Sequence, residues 1–132
     1  MTKSIVVALG GNAILQPDQK GTFEDQLKSV EVTCKHIVCL IKDGYRVIIT
    51  HGNGPQVGNI LVQNLEARNK VPAMPLFVCG AETQGLLGFM IAQSLENILS
   101  EEGLENRACT ILTRGLVDSK DPAFANPTKP VG

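Results

Sequence analysis

Short, continuous apolar runs alternate along the chain with longer segments of helical periodicity. Ser4 to Leu9, SIVVAL, is a β-branched run ending on Gly10 and Gly11, as for a buried strand entering a turn. Its unbroken apolarity predicts a parallel strand covered on both faces. Gln16 to Gly21 is polar and reads as a loop. A helix is expected from Thr22. Thr22 and Asp25 approximate a capping box, with Asp in place of the usual Glu. Leu27, Val30, Cys34, Ile37, Val38 and Ile41 then recur at helical spacing, and Gly44 is a natural stop. Tyr45 to Thr50, YRVIIT, is a second buried strand, running into His51-Gly52-Asn53-Gly54. Pro55 stands where a first helical residue would be, and Val57, Ile60, Leu61 and Leu65 give the next helix an apolar stripe.

Leu76 to Cys79 is too short to assign, but about Ala81 to Glu102 predicts a long helix. Its inward positions read as Leu86, Phe89, Met90, Leu95, Ile98 and Leu99, with Gly103 closing it. Gly85 and Gly88 weaken this helix by up to about 1 kcal/mol each relative to Ala, and another backbone packed closely there would explain them. Arg107 to Val117 contains a third expected strand, ACTILT, while Asp121 to Gly132 holds three prolines and no periodicity. Strand, helix, strand, helix, helix, strand argues for an α/β fold with a mainly parallel sheet. Ligands in such folds gather at the carboxyl ends of the strands. Both glycine-rich segments fall there, so two loops distant in sequence are expected to face one crevice.

The 132 residues suffice for one domain, with 43% apolar and 19% charged residues, an ordinary globular composition. A net charge of −1 gives no support to nucleic acid or an anionic membrane as partner. Any anion site must therefore be made locally. The longest apolar runs fall far short of a membrane span, and the residues after Met1 read as a strand rather than as a signal peptide. Cys34, Cys39, Cys79 and Cys109 form no CxxC pair, which disfavours a zinc site. They read instead as small buried hydrophobes in a reducing, cytoplasmic compartment.

Three segments carry candidate chemistry. In Ala8-Leu9-Gly10-Gly11-Asn12-Ala13, paired glycines after a strand expose backbone N–H groups that can hold phosphate oxygens. A tight turn without a ligand accounts for GGN equally well. In His51-Gly52-Asn53-Gly54-Pro55-Gln56-Val57-Gly58, a helix start offers free N–H groups and partial positive charge. A dinucleotide fingerprint needs GxGxxG; here Gly52, Gly54 and Gly58 displace the third glycine by one, and the Walker pattern is missing too. A strand-end histidine such as His51 is more often structural than catalytic. The third segment runs from Asp118 to Gly132, a proline-fixed loop holding Lys129 between Thr128 and Pro130. Such long loops are often functional, although an incidental surface lysine is the plainer reading. No catalytic triad and no carboxylate pair stands out. Phosphoryl transfer needs neither, because it rests on positioning and on stabilising charge over the moving oxygens.

VVALGGNAIL, HGNGPQVGN, CGAETQGLLGF and DPAFANPTKPVG, in this order and at this spacing, resemble the carbamate kinases of the amino-acid kinase family, from about Ser4 to Gly132. The resemblance implies a three-layer α/β/α sandwich and a homodimer. It implies reversible phosphoryl transfer between carbamoyl phosphate plus ADP and carbamate plus ATP, with Mg2+. Gly10, Gly11 and Asn12 match a loop that would contact the transferring phosphoryl group. Gly52, Asn53 and Gly54 match one that would hold the carbamoyl end. Lys129 matches a lysine that would neutralise phosphoryl charge; many members of the wider superfamily have a lysine where this chain has Ala8. Family members are more than twice as long. The chain is therefore expected to be the amino-terminal part of a domain, inactive alone, with no residue assignable to nucleotide or magnesium. The competing expectation is a non-catalytic relative that binds a small anion or a full-length subunit. A doubly wound oxidoreductase is disfavoured by the displaced glycine.

Overall fold

A computed structural model describes residues 3–128. Strands β1 (Ser4–Leu9) and β2 (Arg46–His51) pair in parallel, with Ser4 opposite Arg46 and Leu9 opposite His51. Helix α1 (Phe23–Lys42) connects them, as a parallel pair requires. Helices α2 (Gly54–Ala67) and α3 (Leu76–Glu101) follow. Helix α1 packs along α3 and against β2, while α2 packs on α3. The core lies between α1, α3 and one sheet face. Val30, Cys34, Ile37 and Val38 of α1 meet Leu87, Met90, Ile91, Leu95 and Leu99 of α3 there, with Leu9 and Ile14 closing one end.

Local chemistry explains the element ends. The Thr22 hydroxyl accepts from the Asp25 N–H while the Asp25 carboxylate accepts from the Thr22 N–H, so the capping box forms as expected. Helices α1 and α3 both end in Schellman turns. Tyr45 N–H donates to the Leu40 carbonyl and Leu104 N–H to that of Leu99. Gly44 and Gly103 supply the positive φ these turns require, +86° and +69°. At the same end of the helix pair, Lys42 and Glu102 form an exposed ion pair at 2.8 Å.

Several expectations are corrected. The ACTILT segment forms no strand: residues 104–117 are irregular and the described sheet has two strands. Instead of a neighbouring strand, helix side chains take up its backbone groups. Ala108 N–H donates to the Glu96 carboxylate, and Gln84 both accepts from Thr113 N–H and donates to its carbonyl. The strands are covered on one face only. Val6 and Ile48 point away from the helices and are 62% and 54% exposed. Helix α3 starts five residues before Ala81 was expected to open it, with Pro75 as its N-cap. Phe89 is not inward but 58% exposed, whereas Leu87 and Ile91 are buried; the true stripe runs through Leu87, Met90, Ile91 and Leu95. On α2, Leu65 is exposed and Val57 alone of the expected stripe is fully buried. Gly88 does meet a close neighbour, the Thr110 side chain, but nothing approaches Gly85.

The cysteines divide as well. Cys34 and Cys79 are buried, but Cys39 and Cys109 are exposed, and all four are free. The Cys34 thiol faces the Ile91 carbonyl at 3.8 Å, and burial pushes its pKa up to about 12 from the usual 9.0. Its stabilising contribution is complete below the unfolded value and is lost as pH rises from about 9 toward 12.

Thiol labelling of the folded chain is expected to modify Cys39 and Cys109 quickly, and Cys34 and Cys79 only as denaturant unfolds it. In chemical denaturation, Gly85→Ala should stabilise by up to about 1 kcal/mol through helix propensity. Gly88→Ala should destabilise, because its new methyl group collides with the stiff Thr110 side chain. A stabilising Gly88→Ala would show that residues 108–113 do not lie against α3.

Candidate functional site

The parallel register puts Leu9 opposite His51, so both strands deliver their loops to the same sheet edge. After β1, Gly10 caps a single 3-10 turn, Gly11–Ala13, in which Ala13 N–H bonds the Gly10 carbonyl at 3.0 Å. Two contacts hold this first loop down. Ile14 is buried in the core, and the Thr33 hydroxyl of α1 donates to the Ala13 carbonyl or to that of Ser29, each at 3.1 Å. After β2, Gly52 and Asn53 lead directly into α2, whose first turn holds Pro55 and Gln56.

A cleft of about 140 Å³ separates the two loops, lined by Gly11, Ile14, Gly52, Asn53, Gly54, Pro55 and Gln56. It is smaller than the roughly 300–1,000 Å³ of pockets for drug-sized ligands and suits a small molecule. Of the residues singled out from sequence, Gly11, Gly52, Asn53 and Gly54 line it; Gly10 and Asn12 stand beside it in the first loop. Lys129 lies outside the described residues.

The glycines here differ from those in the helix-ending turns. Gly10, Gly11, Gly52 and Gly54 have no positive φ, and a Cβ on any of them would meet nothing within 4 Å. Neither backbone conformation nor internal crowding requires glycine at these positions. What their missing side chains leave open is the approach of another molecule to the backbone. At Gly54 that backbone is the start of α2, where unpaired N–H groups and the helix dipole favour an anion.

Two amide contacts hold the second loop, one part-buried and one buried. The Asn53 side-chain NH2 donates to the Thr83 hydroxyl at 2.7 Å and to the Gly80 carbonyl at 3.3 Å, both on α3. That NH2 is turned to the scaffold. Thr83 is itself fully buried and donates back to the helix carbonyls of Cys79 or Gly80, each at 3.0 Å. On the other side, Gln56 Nε2 donates to Gln26 Oε1 at 2.9 Å, joining α2 to the start of α1. His51 Nδ1 lies 3.1 Å from the Gly52 carbonyl, a local contact that fits the structural reading. Sequence reasoning did not single out Gln26, Gln56 or Thr83. Gln56 was legible only as a polar residue in the first turn of α2, and the other two look like ordinary helix positions. Among the described residues no three His, Cys, Asp or Glu side chains come together, so none is assigned to magnesium.

Comparison with known proteins agrees with this architecture. Residues 3–126 match the model of the amino acid kinase family. A carbamate kinase of Trichomonas vaginalis is 54% identical over 97% of this chain and 41% of its own length. One from Pyrococcus horikoshii is 50% identical over the whole chain and 43% of its own length. The solved structure of a Giardia lamblia carbamate kinase bound to AMP-PNP superposes with a TM-score of 0.93 at 48% identity, over 98% of this chain and 45% of that one. The chain thus spans a little over two fifths of the relatives it matches. With the match running through both glycine loops and the helices that hold them, the chain belongs to the amino acid kinase family.

Proposed function

We propose that this chain supplies the carbamoyl-phosphate side of a carbamate kinase. In that reaction the bond between phosphorus and the carbamoyl oxygen breaks while a bond forms to the terminal phosphate oxygen of ADP. ATP and carbamate are the products, and the reverse reaction regenerates carbamoyl phosphate. The observation that carries this reading is the empty space beside Gly11, Gly52 and Gly54 across one small cleft. The relatives named above support it, since each is a carbamate kinase.

The N–H groups of Gly10 and Gly11, with the Asn12 side chain, would face the transferring phosphoryl group. Those of Gly52, Asn53 and Gly54 would hold the carbamoyl end, aided by the start of α2. Fixed amide dipoles need no reorganisation as charge spreads over the moving oxygens, and this makes them effective in a site shielded from water. Lys129 would add the positive charge that Ala8 does not provide. ATP or ADP and Mg2+ belong to the same reading, without ligands assigned in this chain. So do a homodimer and a cytoplasmic location. Exposed, free Cys39 and Cys109 suit a reducing compartment, and no described helix is long and apolar enough to cross a membrane.

The test is a chimera joining this chain to the remaining length of the Pyrococcus horikoshii relative. ATP formation from carbamoyl phosphate and ADP is expected from the chimera and not from the 132 residues alone. Binding of carbamoyl phosphate without turnover would favour a non-catalytic relative. In the chimera, Lys129→Ala should lower kcat by about 100-fold or more, while Lys120→Ala changes it by less than about 2-fold, as for an ordinary surface side chain. Equal, small losses would remove Lys129 from the site. Gly11→Ala should leave the melting temperature in place, since its methyl group meets no protein atom, yet sharply reduce turnover. Unchanged turnover would mean that nothing approaches that backbone.

A further inference from the structure

We infer that Gln56 Oε1 is the acceptor that recognises the amino group of the substrate, selecting a carbamoyl group over an acyl group of the same shape. The inference rests on the proposed reading and adds a specificity-determining residue to it. Its basis is a chain of amides whose direction is set at one end. The Gly21 carbonyl can only accept, and Gln26 Nε2 lies 3.0 Å from it and 3.4 Å from the Thr22 carbonyl. Gln26 must therefore present its NH2 to the start of α1 and its oxygen to Gln56. Gln56 must in turn donate, through Nε2 at 2.9 Å. The Gln56 oxygen is left on the other side of its amide plane, so the network decides which way this side chain is turned.

That oxygen receives no hydrogen bond from any described residue. Nor is it sealed away, for the enclosed side-chain atom without a partner is Ser94 Oγ. Gln56 is 5% exposed and lines the cleft, and the inference places its free oxygen on that side. The nearby Asn53 NH2 cannot serve it, being held by Thr83 and Gly80. A wall whose open glycines can offer backbone donors thus also contains one oriented, neutral acceptor. Backbone N–H groups recognise the oxygens that carbamoyl and acetyl phosphate share. Only an acceptor can tell NH2 from CH3. Filling the cleft with the methyl compound leaves a buried oxygen unpaired, and sites built this way discriminate more strongly than apolar pockets do.

The experiment compares kcat/KM for carbamoyl phosphate and acetyl phosphate in the chimera. Gln56→Leu keeps most of the bulk and removes the acceptor. It should lower the carbamoyl-to-acetyl ratio about 10- to 100-fold, by losing activity on carbamoyl phosphate and keeping it on acetyl phosphate. Gln26→Leu, which frees the Gln56 amide to turn over, should lower the ratio in the same direction by a smaller factor. It decides the matter if Gln56→Leu does not fold. An unchanged ratio, with both substrates losing equally, overturns the inference and leaves the kinase reading standing. A parent chimera inactive on both phosphates overturns both.

Discussion

The parallel pairing of β1 with β2, in the register that sets Leu9 against His51, is the constraint on which the site depends. Parallel strands end at the same edge, so the turns that follow them must be neighbours. A shift of one residue would also turn Val7 and Ile49 away from the core they help to cover. The burial that stabilises the fold therefore also keeps the two turns side by side. Helix α1 is the crossover that makes this pairing possible, and its Gln26 and Thr33 are in contact with α2 and the first loop.

Each loop is fixed by neutral hydrogen bonds from the helices behind it. Asn53 is tied to α3, Gln56 to α1, and the first loop to Thr33. These amides and hydroxyls bring no charge of their own into the cleft. None of the described residues lining the cleft carries a carboxylate, and the start of α2 favours negative charge there. For phosphoryl transfer that is a suitable environment, because the charge to be stabilised belongs to the substrate and moves little distance. At Gly10, Gly11, Gly52 and Gly54 the backbone is left open, with no protein atom where a Cβ would stand.

The expectations that failed share one cause. ACTILT has the composition of a strand, but a strand exists only when another edge takes its N–H and C=O groups. In this chain Gln84 and Glu96 take some of them. Phe89 fits the helical period as well as Leu87 does; which of them faces inward depends on where α1 crosses α3. Val6 and Ile48 are apolar enough to be covered on both faces, yet α1 and α3 occupy only one. Cys39 and Cys109 could not be told from Cys34 and Cys79 by residue type.

Local physics determined a good deal from the sequence alone. The capping box at Thr22 and the glycine stops at Gly44 and Gly103 follow from contacts within a few residues, and the first two strands and the helical stripe of α1 show in the local pattern of apolar positions. The two glycine loops were legible for the same reason, since a strand, a turn and a helix start are each short-range features. The convergence of the two loops already followed from the order of elements; only the tertiary structure decided that Asn53 turns its NH2 to α3 and that Gln26 orients Gln56. Those facts join residues about thirty positions apart. Their hydrogen bonds depend on helix placement, which is settled by burial over the whole core and by no local pattern.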